Sequence, residues 1–94
     1  MNTTMFGTER DKRMWEDGVQ ELWIMASEFN SRTDEHNHRV EISGKNKPSI
    51  KMRDLNTNKV VLTETVTNFI SLGLTRYALQ LKIDSLLPTT KLFQ

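Results

Sequence analysis

The 94-residue chain has no cysteine, which excludes disulfide bonds and thiolate ligands for a metal. Its four glycines are isolated from one another, so it has no glycine-rich loop of the kind that binds phosphate groups. It also has no uninterrupted hydrophobic run long enough to cross a membrane, because polar residues divide its most apolar stretch, from Phe69 to Leu87. The first thirteen residues lack the basic-then-apolar order of a secretory signal. We therefore expect a cytoplasmic (intracellular) protein that makes no membrane contact.

What the sequence does contain is the composition of one folded domain. Hydrophobic residues make up 36% and charged residues 27%, unlike the highly charged, apolar-poor composition of disordered chains. We predict a flexible N-terminus at residues 1–7, a single α+β domain at residues 8–88 and a C-terminal tail at residues 89–94. The net charge is only +1 but is unevenly distributed. Residues 1–35 carry eight acidic and four basic side chains, whereas residues 36–59 carry two acidic and six basic ones, so the middle of the chain is a basic segment.

The N-terminal third has the pattern of an amphipathic helix. Thr8 and Asp11 have the spacing of a helix cap, in which a hydroxyl is followed three positions later by an acidic residue. Apolar residues then recur every three or four positions, and Trp23, Ile24 and Met25 widen this stripe. The spacing predicts one buried helical face formed by Trp15, Val19, Leu22, Ala26 and Phe29.

Three strands are predicted after a polar connector that ends near Asn37. Apolar and polar residues alternate in three short segments, which turn-rich sequences separate at 44–48 and 56–59. One face of the predicted sheet is apolar and carries His38, Val40, Ile42, Ile50, Met52, Val60, Leu62 and Val66. The opposite face carries Arg39, Lys51, Arg53, Val61 and Thr63. This pattern is typical of an antiparallel sheet that is covered on one side only.

A helical pattern returns from about Thr65, with two apolar stripes. The first is continuous, so we predict that it faces the sheet: Phe69, Ile70, Gly73, Leu74, Tyr77, Ala78 and Leu81. The second is broken by Arg76, so we predict that it lies partly outside the monomer core: Leu72, Leu79, Ile83 and Leu86. Gly18 and Gly73 lie on apolar stripes, and we expect close backbone packing at both. The element order predicts a two-layer α-β-β-β-α domain, a three-stranded antiparallel meander with both helices on one face.

The segment 33–39, TDEHNHR, concentrates two carboxylates and two histidines. A metal site needs at least three well-directed ligands, but His38 is in register with the apolar strand face, and Asp34 and Glu35 have no spacing typical of a known site. We interpret the segment as a polar connector and predict no metal and no cofactor. Neither histidine is near a serine or threonine in a strand-turn-helix elbow, so we also predict that the protein is not an enzyme.

Two surfaces remain as candidates for binding. Excess apolar helical surface in a small chain indicates a protein partner or self-association, and the predicted interface consists of Leu72, Leu79, Ile83, Leu86, Trp15 and Trp23. The alternative partner is DNA or RNA, bound by the basic strand face and turns: Arg39, Lys45, Lys47, Lys51, Arg53 and Lys59. Such charges also serve simply to keep a strand face soluble. The sequence therefore predicts a small non-enzymatic regulatory or inhibitory module that acts by protein–protein binding, including as a homo-oligomer, with nucleic-acid binding as the alternative.

Overall fold

The computed structural model describes residues 7–45 and 47–87. These residues form α1 (Glu9–Asn30), α2 (Thr33–His36), β1 (His38–Ser43), β2 (Ser49–Asp54), β3 (Lys59–Thr65) and α3 (Phe69–Leu86). The strands form one antiparallel sheet in the order β1-β2-β3, as the predicted α+β architecture requires. The connector differs in one respect, since it contains the single helical turn α2. The predicted tail at 89–94, and all of the predicted flexible N-terminus except Gly7, lie outside the described residues.

Helix α1 begins and packs as its sequence predicts. The Thr8 side chain caps the helix by accepting a hydrogen bond from the Asp11 backbone N–H at 3.1 Å. All five residues of the predicted stripe are buried, whereas Trp23 and Ile24, which flank it, are exposed. The stripe packs with the inner side of the sheet and part of α3 in one core, which includes Val40, Ile50 and Met52. A single apolar face on a 22-residue helix thus fixes how α1 lies on the sheet.

The pairing of β2 with β3 contains an irregularity that displaces one predicted core residue. Met52 pairs with Leu62, but the next residue of β2, Arg53, pairs with Val60, so Val61 is an extra residue on β3. Such a bulge interrupts the alternation of side chains between the two faces. Val60 was predicted on the inner, apolar face of the sheet with Leu62. That prediction is wrong, because Val60 is exposed and pairs with Arg53, which lies on the opposite face of the sheet.

The C-terminal end of α1 is tied to the edge of the sheet through Asn30. The Asn30 Nδ2 donates to the Val40 carbonyl oxygen at 3.0 Å, and its Oδ1 accepts from the Val40 backbone N–H at 2.8 Å. One side chain thereby occupies both backbone hydrogen-bonding groups of a residue in the middle of β1. Since β1 is an edge strand, the amide takes the place that a neighbouring strand would otherwise fill.

The two long helices approach closely at Gly18. A methyl group built on Gly18 would lie 2.6 Å from Leu72 Cδ2, which is closer than carbon atoms pack, so glycine permits this contact. Close packing at Gly18 is therefore confirmed, but the neighbour is the Leu72 side chain and not the backbone that the prediction named. The same prediction for Gly73 is wrong, because a methyl group there would meet no atom of the described residues within 4 Å. An Arg76–Glu21 ion pair, with Nη1 and Oε1 2.6 Å apart, adds a polar contact between the helices.

Helix α3 is oriented opposite to the sequence prediction. Asn68 and Ser71 form a capping box at its start, in which each side chain accepts the backbone N–H of the other. The helix then buries Leu72, Thr75 and Leu79. Within the described part of the chain, the buried Thr75 Oγ1 has no hydrogen-bond partner. The broken stripe therefore faces the core, and the continuous stripe is largely turned to solvent.

Candidate interaction surface

The outer face of α3 is a row of four large apolar side chains in water. We define this outer face as Ile70, Leu74, Tyr77 and Leu81, whose exposed fractions are 75%, 61%, 66% and 52%. These residues lie on the side of the helix opposite its buried residues, because residues three and four positions apart share one face of a helix. Single exposed apolar residues are ordinary on protein surfaces, but a contiguous row of this size is typical of an interaction site.

The residues predicted as a protein interface are separated by the structure. Leu72, Leu79 and Trp15 are buried in the monomer, and the Trp15 ring packs edge-on against Phe69 with the ring centroids 5.4 Å apart. Of the others, Ile83 and Leu86 are partly buried against the core, and Trp23 is exposed. The predicted set therefore lies mostly in or against the core, whereas the exposed apolar surface of α3 consists of residues that were predicted to face the sheet.

A shallow groove between α1 and α3 adjoins this surface. Its α1 side includes Met14 and Ile24, which are both about half exposed, and Arg76 from α3 borders it. The ion pair between Arg76 and Glu21 crosses from one helix to the other in this groove. A second shallow depression, beside Tyr77, is bordered by Met25 and again by Arg76. Tyr77 of the outer face and Met25 of α1 therefore border the same depression, beside the Arg76–Glu21 ion pair.

Trp23 and Lys45 share a separate depression beside α1, which Trp15 and Val19 also line. This arrangement brings one predicted interface residue together with one predicted nucleic-acid contact. It also places Lys45 against the helical layer, away from the outer strand face where Lys51 lies. The predicted set of six basic residues therefore does not form one surface.

The outer strand face carries a smaller basic cluster. Arg39 and Arg53 are directly paired across β1 and β2, and Lys51 lies two residues before Arg53 on the same face, as predicted. Glu41 pairs with Lys51 across the strands, and its Oε1 is 3.8 Å from Arg53 Nη2. The cluster is therefore partly neutralised. Lys47 lies in the loop before β2, and Lys59 is the first residue of β3, where it pairs with Asp54 at the end of β2.

The histidines of the connector have structural partners. The buried His36 ring is stacked on Phe29, with centroids 3.6 Å apart and ring planes 7° from parallel. Its Nδ1 accepts the His38 backbone N–H at 3.0 Å, and its Nε2 lies 2.7 Å from the Phe29 carbonyl oxygen. These partners fix the neutral tautomer that carries hydrogen on Nε2. His36 therefore joins the end of α1 to the start of β1.

The remaining charged residues of the connector act at the surface. The Arg32 guanidinium donates two hydrogen bonds to Glu35, at 2.7 and 3.1 Å, and the hydrogen bonding lowers the pKa of that carboxyl group. His38 is half-buried at the core edge, as predicted, with its Nε2 3.9 Å from Asp54 Oδ2. Among the described residues, no three ligand-type side chains are grouped so that they could hold a metal ion. Likewise, none of the described helices has the length and apolarity that crossing a bilayer would need.

Comparisons with protein-family models, with curated proteins and with solved structures give no match.

Proposed function

We propose that this chain is a small non-enzymatic module that acts by binding protein, and that the outer face of α3 is its working surface. The observation that supports the proposal is the row of four large apolar side chains, each more than half exposed, on a helix whose opposite side is packed in the core. A regulatory or inhibitory role suits such a module, because binding alone can block or stabilise another surface.

Covering the outer face of α3 would remove apolar surface from water, and this burial favours binding. Moving a fully exposed large apolar side chain out of water is worth roughly 1.5–3 kcal/mol. Each of these four side chains is between half and three quarters exposed, so its burial is worth a corresponding fraction of that value. Covering all four would therefore contribute on the order of 4–8 kcal/mol. Association opposes this with a cost of about 4–15 kcal/mol in lost freedom of motion, so the row supports modest affinity by itself.

Photo-cross-linking tests the working surface directly. Replacing Tyr77 with p-benzoylphenylalanine keeps an aromatic ring in the middle of the outer face and makes it react with whatever contacts it in cells. The same amino acid at Thr63, which is exposed on the outer strand face, is the matched control. We expect a defined cross-linked protein species from position 77 that is absent from position 63. Equal labelling at the two positions, or none at position 77, would contradict the proposal.

Nucleic acid is the second candidate, and the Arg39–Arg53 pair favours it. Like charges at directly opposed strand positions are unfavourable, and a bound phosphate would offset the repulsion that Glu41 leaves uncompensated. If DNA or RNA binds there, Lys51→Glu with Arg53→Glu should remove the binding while the domain stays folded. Affinity should also fall steeply as salt is raised, because each phosphate contact releases condensed counterions. The control is Lys82→Glu on α3, which should leave the binding unchanged. If the unmodified chain binds neither DNA nor RNA at low salt, nucleic acid is dismissed as a partner.

A further inference from the structure

The outer face of α3 has the spacing of a helix that pairs with another helix. Its residues Ile70, Leu74, Tyr77 and Leu81 are successively four, three and four positions apart. Alternation of three and four is the heptad pattern, in which an average of about 3.5 residues keeps apolar side chains along one line as two helices wrap around each other. A partner that presents a helix with the same spacing would therefore match this row along its whole length.

The residues on either side of the outer face of α3 are compatible with a second copy of the same helix. Ser71, Gly73, Ala78 and Gln80 flank the row, and none of them is charged. No atom of residues 7–45 or 47–87 lies within 4 Å of where a side chain at Gly73 would begin, so these residues leave room for a second helix to approach closely on that side. In paired helices, charges at these flanking positions usually select or reject partners. Two copies of this chain would therefore meet without repulsion between like charges.

Asp84 indicates the direction of such a pair. It is exposed and lies seven positions after Tyr77, so it continues the same line at the C-terminal end of α3. A parallel pair would place two Asp84 carboxylates opposite each other, which is unfavourable. An antiparallel pair would place each Asp84 beside the first turn of the other α3, which contains no acidic residue of its own. The partial positive charge at a helix N-terminus favours a carboxylate at that position.

We infer that the outer face of α3 binds a second copy of this chain, with the two α3 helices antiparallel about a two-fold axis midway between Leu74 and Tyr77. Ile70 then faces Leu81 of the second copy, and Leu74 faces Tyr77 of the second copy, so that every contact occurs twice as a two-fold dimer requires. This inference rests on the proposed function, because it assigns an occupant to the same face.

The area of the face predicts a weak dimer. Four side chains at these exposures present on the order of 500 Å² together, which is at the upper end of the apolar patches of monomers. A standard stable interface buries about 800 Å² on each partner. We therefore expect a monomer–dimer equilibrium with a dissociation constant in the micromolar range.

Sedimentation velocity over a wide range of protein concentration tests whether a second copy of the chain binds the outer face of α3. The full chain should shift from monomer to dimer as concentration rises. Leu74→Glu should weaken the dimer at least tenfold, because it buries a charge at the centre of the row without a partner. Leu55→Glu is the matched control, since it makes the same change at an exposed leucine in the β2–β3 turn and should leave the equilibrium unchanged.

Cross-linking of cysteine variants tests whether the two α3 helices are antiparallel. The natural chain has no cysteine, so each introduced thiol is unique. When Gly73→Cys and Gln80→Cys chains are mixed, a short thiol-specific cross-linker should join one chain of each kind, because the antiparallel pairing brings these two flanking positions together. Mixed Gly73→Cys and Ala78→Cys chains should not be joined. The reverse result would mean a parallel pair and would overturn the arrangement.

The stability of Leu74→Glu separates failure of this inference from failure of the proposed function. A monomer at every concentration, or a dimer that survives Leu74→Glu, would overturn the second copy as occupant. If Leu74→Glu is then as stable as the unmodified chain, the outer face is free in the monomer and the proposed function is still supported by a different partner. If Leu74→Glu unfolds while Leu55→Glu does not, the chain itself covers the face and both proposals are wrong.

Discussion

Replacing the two glycines of the long helices by alanine should affect stability differently, although the chemical change is the same. Gly18 lies at the crossing of α1 with α3, against Leu72, whereas Gly73 is exposed on α3 and a methyl group there would have no close neighbour in the part of the chain that the structure describes. Both positions are helical, and each substitution adds a single methyl group. The comparison therefore isolates the contact with Leu72.

The expected magnitudes follow from two effects. Alanine is favoured over glycine inside a helix by about 0.8–1 kcal/mol, so Gly73→Ala should raise the free energy of unfolding by about that amount. Gly18→Ala has the same helical advantage, but its methyl group would lie 2.6 Å from Leu72 Cδ2. Overpacking of this kind costs typically 1–3 kcal/mol. Gly18→Ala should therefore be between neutral and about 2 kcal/mol destabilising.

Urea denaturation, followed by circular dichroism at a protein concentration where the chain is monomeric, measures the difference. A second background, Leu72→Val, removes the clashing atom at a cost of about 0.8 kcal/mol for the lost methylene group. In that background Gly18→Ala should recover most of the helical advantage that Gly73→Ala shows. The double-mutant cycle thus assigns the penalty to one pair of side chains.

The reasoning would be refuted if Gly18→Ala stabilised the chain as much as Gly73→Ala does. That result would mean that α1 and α3 do not approach at Gly18 as described. A penalty at Gly18 that persists in the Leu72→Val background would show that some other neighbour causes it.

Three further substitutions test the polar contacts of the fold, each by its midpoint in urea. Asn30→Ala removes both hydrogen bonds to β1 and should lower stability by about 1–3 kcal/mol, and an unchanged midpoint would mean that water replaces them fully. Thr75→Val replaces a buried hydroxyl that has no partner among the described residues, and it should raise stability by about 1 kcal/mol; a loss would reveal a partner. His36→Phe keeps the ring stacked on Phe29 but removes both ring nitrogens, so it should cost about 1–3 kcal/mol, and a gain would contradict a hydrogen-bonding role.

Periodicity predicted the elements that have one apolar face. In α1 the five residues from Trp15 to Phe29 form a single stripe, and a single stripe leaves only one way to pack the helix. In β1 and β2 the alternation is equally clear, and Val40 and Met52 pair across the inner face as expected. Val60 could not be placed in this way, because one additional residue in a strand exchanges inner and outer faces, and no turn residue marks the bulge.

Helix α3 shows where periodicity alone fails. Apolar residues lie on two opposite sides of it, so the pattern does not determine which side faces the sheet. The sequence predicts that the continuous stripe faces the sheet, but the buried side is the one that contains Thr75. The four-three-four spacing of the exposed residues, and the uncharged Gly73 and Gln80 beside them, fit a buried core stripe and a helix–helix interface equally well, because both have the same requirements for side chains.

The Asn30 contact with Val40 makes the two edges of the sheet, β1 and β3, unequal. A foreign strand cannot align along β1 without first displacing an amide that already mimics a strand. Within the described part of the chain, the outer backbone edge of β3 has no comparable occupant, and exposed Val60 and Val61 lie along it. Fibril growth by strand addition needs two open edges, because each added molecule must offer a new one. If two of these sheets ever joined through β3, the blocked β1 edges would face outward, and the assembly would stop at two molecules.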